Sequence, residues 1–166
     1  MNLIRRIQQG IAVWGHSRLP PRVVQVNSMI AYGTGTSNLE LLKSLGYQAI
    51  VDLRAEASQD PNRTRVLGLD FIRIPIPDRA GPSPSQITFF LNLLESYQAE
   101  SKKTYVHCSA GKGRSPTMIL AYLVSKRKTT DDALYWLKQL DPHANPTPEQ
   151  IQTIRAFERA SAKKAI

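Results

Sequence analysis

Residues 104–117 read Thr-Tyr-Val-His-Cys-Ser-Ala-Gly-Lys-Gly-Arg-Ser-Pro-Thr, and this stretch decides the fold. Thr104 to His107 has the β-branched and aromatic content of a short buried strand. From Arg114 onward, Thr117, Ile119, Leu120, Leu123 and Val124 fall at helical spacing. Between them lie small residues and two glycines, Gly111 and Gly113. A loop of that composition can turn its backbone N–H groups inward and form an anion nest at a helix N-terminus. Cys108, the chain's single cysteine, opens the loop, and Arg114 closes it six positions later. Amide dipoles and a neighbouring guanidinium favour the thiolate, which is the nucleophilic form. The planar fork of Arg114 fits two oxygens of a phosphate. A nucleophile and an oxyanion clamp facing one cavity is the chemistry of phosphate-ester cleavage through a cysteinyl-phosphate. The bland alternative is a small buried hydrophobe followed by an ordinary turn. It leaves the joint placement of Gly, Gly, Arg and Ser around one Cys unexplained.

The run from His107 to Ser115 resembles the active-site signature of the cysteine-dependent protein-tyrosine phosphatases, His-Cys-x5-Arg-Ser/Thr. Its Ala-Gly-Lys-Gly-Arg centre is similar to dual-specificity phosphatases and their lipid-directed relatives. Those relatives include the phosphatase-and-tensin type and the mitochondrial phosphatidylglycerophosphate phosphatase type. The resemblance extends from about Val24 to Glu158 and leaves the first twenty residues unplaced. It implies a nucleophilic Cys108 and a phosphate-binding loop of Ser109, Ala110, Gly111, Lys112, Gly113 and Arg114. It also implies a Ser115 hydroxyl that supports the thiolate and assists breakdown of the intermediate. Phosphotyrosine and phosphoserine/threonine proteins are the leading substrates by this resemblance. A phospholipid, phosphatidylglycerophosphate or a phosphoinositide, is the alternative. A 5′-end RNA phosphatase is a third option, motivated by basic charge alone. Two departures stand out. Ser109 occupies the position where many lipid-directed relatives carry lysine, which makes the cavity less positive. No second cysteine is present to trap an oxidised Cys108 as a disulfide.

A phosphate monoester also needs an acid for its departing oxygen. Asp78 is the candidate, 30 residues before the cysteine on a Gly- and Pro-containing loop suited to a mobile flap. Asp70, at the start of the preceding strand, is the poorer competitor. Asp141-Pro142 is similar to the acid of low-molecular-weight tyrosine phosphatases, but the chain order contradicts that family. His107 is expected to hydrogen-bond the loop backbone and tune Cys108 rather than transfer protons. Glu56 is read either as orienting Arg114 by a salt bridge or as an exposed loop residue. His16 and His143 have no metal-ligand spacing, so neither metal nor cofactor is expected. Two other classes are open: a phosphoprotein-binding pseudophosphatase, and a rhodanese-like sulfurtransferase, which would lack the upstream acid.

The rest of the chain reads as one α/β domain, a central mixed sheet with helices on both faces. Its 166 residues with 42% hydrophobic content suffice for a core. We divide it into an N-terminal extension, residues 1–21, and a catalytic domain, residues 22–162. Met1 to Trp14 carries an amphipathic pattern suited to packing on the domain or lying on an anionic membrane surface. Arg22 to Tyr32 predicts two short strands around Asn27-Ser28, and Ala49–Leu53 and Phe71–Ile76 predict two more. Helices are predicted from a Ser37 cap to Leu45, from Ser83 to Tyr97, from a Thr130 cap to Leu140, and from Pro148 to about Ser161. Residues 54–65 read as irregular, with a turn at Asp60-Pro61-Asn62. No segment is long enough to span a membrane, and no secretory signal is recognisable. The single cysteine suits a reducing interior, so a cytoplasmic location and a monomeric state are expected. A net charge of +9 favours acidic partners. A phosphorylated protein or phospholipid is the expected one, and nucleic acid is not.

Overall fold

The computed structural model describes residues 21–36, 38–56 and 60–163. The N-terminal pattern at residues 1–14 and the Ser37 cap lie outside them. Among the described residues, five strands form one mixed sheet in the order β1-β2-β5-β3-β4. They are β1 (Val23–Gln25), β2 (Ile30–Thr34), β3 (Ala49–Arg54), β4 (Asp70–Ile76) and β5 (Thr104–Cys108). β1 runs antiparallel to β2, closed by Asn27, whose Oδ1 accepts the N–H groups of Met29 and Ile30. All other pairings are parallel.

β5 is therefore the middle strand, and every one of its residues is buried. Alternation along it divides the interior in two. Val106 and Cys108 join the larger core with Tyr32, Val51, Leu53 and the long helices. Tyr105 joins Ala31, Ile50, Leu39, Leu42 and Tyr47 on the opposite face. That second face is covered by α1 (Leu39–Ser44), while α3 (Pro84–Ala99), α4 (Arg114–Ser125), α5 (Thr130–Leu140) and α6 (Pro148–Lys163) share the first. The expected arrangement of helices on both faces is present.

α4 is the axis of the helical layer. It is buried at every position from Arg114 to Val124, so the apolar stripe read from the sequence understates it. A helix enclosed on all sides has no polar face to set the period. Residues 61–66 depart from the sequence reading. They form α2 (Pro61–Val66), capped by Asp60, whose side chain accepts from the N–H of Asn62, with Pro61 at the first position. The Asp-Pro pair taken for a turn is a helix start. Asn38 caps α1, and the cap of α5 is Thr129 rather than Thr130.

α3 begins where the sequence indicates. Ser83 Oγ accepts the Gln86 N–H at 3.2 Å and Gln86 Oε1 accepts the Ser83 N–H at 2.9 Å. Ser83→Ala removes half of this box and is expected to lower unfolding free energy by about 1 kcal/mol, read from the urea midpoint at constant slope.

Candidate active site

The loop from Cys108 to Arg114 leaves the carboxyl end of β5 and enters α4. Its carbonyls are answered from outside. Ser109 O accepts the Gly35 N–H at 3.0 Å, and Lys112 O accepts the Asn145 N–H at 2.6 Å. Gly111 O accepts Arg22 Nη2 at 2.7 Å. Gly113 O accepts both the N–H and the Oγ1 of Thr117, at 3.0 and 2.8 Å. A planar peptide points its N–H opposite to its C=O. Holding these four carbonyls outward therefore turns the N–H groups of Ala110, Lys112, Gly113 and Arg114 to the concave side, as an anion nest requires. Gly111 makes the turn at φ +66°, and a Cβ there would lie 2.6 Å from the Gly33 carbonyl carbon. Only glycine satisfies both conditions.

Cys108 is 3% exposed at the floor of a cleft of about 870 Å³. The cleft is also lined by Ser109, Ala110, Lys112, Gly113, Arg114, Glu56 and Asp78. The Arg114 guanidinium is gripped by Glu56 through two bonds, Nη1 to Oε2 at 2.7 Å and Nη2 to Oε1 at 2.8 Å. It also donates to Ile76 O at 3.0 Å and to Ser109 Oγ at 3.2 Å. Ser109 in turn donates to Glu56 Oε1 at 2.8 Å. The hydrogen bond from Arg114 holds the Glu56 carboxyl far below the usual carboxylate range. Of the two readings of Glu56, the geometry has the salt bridge. Asp78 Oδ1 approaches Arg114 Nη2 at 3.2 Å, and its carboxylate is largely exposed to the cleft.

His107 and Ser115 lie behind the loop, fully buried, and neither lines the cleft. His107 Nδ1 is 3.4 Å from Cys108 O and 3.7 Å from Asp52 Oδ1. Its Nε2 has no hydrogen-bond partner among the described residues, nor does Ser115 Oγ. Burial pushes the imidazole down to about 4, against the opposing pull of Asp52. Asp52 itself is spanned by Arg54, whose Nε and Nη2 donate at 2.9 and 2.8 Å. The remaining aspartates are engaged elsewhere. Asp70 pairs with Lys102 at 2.6 Å, and Asp141 accepts Arg22 Nη1 at 2.6 Å and Tyr32 OH at 2.7 Å. Among the described residues, no group of three or more His, Cys, Asp and Glu is placed to hold a metal ion.

The loop that carries Asp78 makes several contacts with the residues that start α6. Thr147 Oγ1 donates to Arg79 O at 3.0 Å, and Gln150 Nε2 donates to Ala80 O at 3.1 Å. A Cβ on Gly81 would meet Thr153 Oγ1 at 2.2 Å. The first turn of α6 thus fastens the segment carrying Asp78. Thr147 and Gln150 stand at the start of α6. Their reciprocal cap consumes the Gln150 oxygen, at 2.8 Å from the Thr147 N–H, and frees its amide N–H groups for the loop. The helix-start motif was visible in the sequence, but nothing local indicated where the spare amide points.

A family model described as a polymorphic toxin system DSP-PTPase phosphatase matches residues 27–128. The chain is 30% identical over 122 residues to the phosphatidylglycerophosphate phosphatase PTPMT2 of Arabidopsis thaliana, covering 71% of this chain and 54% of that protein. It is 29% identical over 165 residues to human dual specificity protein phosphatase 14, covering 87% and 80%. It spans about half the length of the phosphatidylglycerophosphate phosphatase relatives that it matches. The crystal structure of Tk-PTP in the active form superposes with a TM-score of 0.76 at 26% identity, covering 82% of this chain and 96% of that one. The complex of PTPMT1 with PI(5)P reaches 0.78 at 18% identity over 87% and 99%, a likeness of fold.

The neutral, buried His107 makes stability depend on pH. Its folded value near 4 lies below the ordinary 6.5, so the contribution is complete above pH 6.5 and is lost as pH falls through the window down to 4. The loss amounts to on the order of 3 kcal/mol. Urea midpoints measured across that window should fall more steeply for the wild type than for His107→Gln, and parallel curves would contradict the assignment.

Proposed function

Because the chain belongs to the DSP-PTPase phosphatase family, we propose that residues 22–162 form a phosphatase that hydrolyses phosphomonoesters through a cysteinyl-phosphate, with phosphotyrosine and phosphoserine/threonine proteins as substrates. One observation carries the reading. The floor thiol of Cys108, the bidentately held Arg114 and the carboxylate of Asp78 all face the cleft onto which the loop amides turn.

The geometry supports the following sequence. The loop N–H groups and Arg114 bind the nonbridging phosphate oxygens, and their charge match grows as the transition state forms. Cys108 Sγ bonds to phosphorus while the phosphorus–oxygen bond to the leaving group breaks, and Asp78 gives that oxygen its proton. A water then attacks phosphorus and returns a proton to Asp78 as the sulfur–phosphorus bond breaks. Inorganic phosphate and the thiolate are regenerated. Ser115 Oγ, which reaches no partner among the described residues, is given no step in this scheme. His107, held neutral, is confined to the loop backbone. Glu56 keeps Arg114 in register, so the clamp is ordered before substrate arrives.

A phospholipid substrate is the second reading. It is favoured by relatives named as phosphatidylglycerophosphate phosphatases and by Arg79 and Lys112 on the cleft wall, which suit a second anionic group.

Phosphate release from tyrosine and serine/threonine phosphopeptides and from phosphatidylglycerophosphate in vesicles separates the two readings. Cys108→Ser is expected to retain less than about a hundredth of activity on every substrate. Asp78→Asn should lose roughly 10²–10⁴-fold on phosphopeptides and much less on a strongly activated aryl phosphate, whose leaving group hardly needs a proton. Equal losses on both substrates would remove Asp78 from the acid role.

A further inference from the structure

Three of the four loop carbonyls described above are held by backbone N–H groups, which no substitution deletes without inserting proline. The exception is Gly111 O, held by a side chain from the far end of the chain, Arg22 Nη2 at 2.7 Å. We infer that Arg22, fixed by Asp141 and Tyr32, is a positioning residue that latches the phosphate-binding loop in its anion-binding form.

The peptide that follows Gly111 turns about ψ of a residue with no Cβ to restrict it. Rotating that peptide would carry the Lys112 N–H away from the cleft and swing the Gly111 carbonyl toward the bound anion. A donor would be replaced by a negative dipole end. The charge-assisted bond from Arg22 opposes that rotation.

The latch is itself anchored. Asp141 Oδ2 accepts Arg22 Nη1 at 2.6 Å and Tyr32 OH at 2.7 Å, and Asp141 Oδ1 accepts the His143 N–H at 3.1 Å. Asp141 is 3% exposed and Tyr32 is wholly buried on β2. The Arg22 backbone is fixed as well, its N–H donating to Thr34 Oγ1 at 2.9 Å and its carbonyl accepting the Thr34 N–H at 3.2 Å. Arg22 does not line the cleft, so any effect on the anion passes through the loop.

The inference rests on the phosphatase reading, and its test includes a readout independent of turnover. For wild type, Arg22→Gln, Arg22→Lys and Tyr32→Phe, the dissociation constant of inorganic phosphate is measured by calorimetry. It is accompanied by turnover on a phosphopeptide and on an activated aryl phosphate, and by the thermal midpoint. Arg22→Gln should weaken phosphate binding about tenfold or more, in keeping with loss of a hydrogen bond from a charged donor. Its turnover should fall by the same factor on both substrates, since the acid is untouched. Arg22→Lys, which can still reach the carbonyl, should recover part of the affinity. A folded Arg22→Gln protein with phosphate affinity within about twofold of wild type would overturn the latch, whatever its thermal midpoint. Should Arg22→Gln not fold, Tyr32→Phe decides. It loosens Asp141 without touching the loop, and unchanged phosphate affinity there overturns the latch equally. A wild-type protein that binds phosphate but hydrolyses neither substrate would defeat the phosphatase reading while leaving the latch to be judged by binding alone.

Discussion

A loop can offer its amides to a phosphate only if its carbonyls are satisfied on the other side. Much of the architecture around Cys108 follows from that requirement. β2 lies beside β5 and ends in Gly33 and Thr34, which with the following Gly35 pass under the loop closely enough to take Ser109 O and to touch Gly111. The segment before α6 supplies Asn145 for Lys112 O. α4 supplies its first turn for Gly113 O. Buried carbonyls left unmet would each cost on the order of 1–3 kcal/mol. The same contacts that orient the nest therefore also satisfy the loop's carbonyls.

Charge is arranged in two layers with different consequences. At the cleft, Glu56 is half exposed and Arg114 is buried, so their pairing adds little to stability after solvent screening. Its effect is orientational, because two parallel bonds hold a planar group at a fixed rotation. Behind the loop, Asp52 and His107 are fully buried. There Arg54 satisfies the carboxylate from two residues away, and the imidazole stays neutral. No net positive charge accumulates under the thiol from that side, and the guanidinium in front acts without a rival.

What the sequence made legible was local. The strand, the glycine-bearing turn and the helix from Arg114 fall within fourteen consecutive residues, and Ser83-Pro84 with Gln86 is a complete cap. Each could be read because its partners are neighbours. Asp60-Pro61 was equally local, but a turn and a helix start share that dipeptide, and only continuation of the helix separates them. Thr129 rather than Thr130 caps α5 for a similar reason, two adjacent polar side chains being interchangeable in a pattern. The contacts that could not be read join distant residues with no shared period. Arg22 meets Asp141, Thr147 meets the backbone of Arg79, and Gln150 meets that of Ala80. Glu56 stood between two readings because its partner lies 58 positions away, and only the sheet brings the ends of β3 and β5 together.

Those distances in sequence set an order of assembly. The brace between Arg22 and Asp141 closes 119 residues, and the ties on the loop carrying Asp78 close 68 and 70. β5 and α4, by contrast, are joined by a short turn. Non-local contacts must first overcome the entropy of closing the intervening chain, so they arrive late in folding. The turn that joins β5 to α4 thus needs little chain closure, whereas the brace on the loop needs a great deal. The outward hold on Gly111 O is complete only once both ends of the domain have docked. Until then the thiol of Cys108 lies beside a loop whose brace is still open.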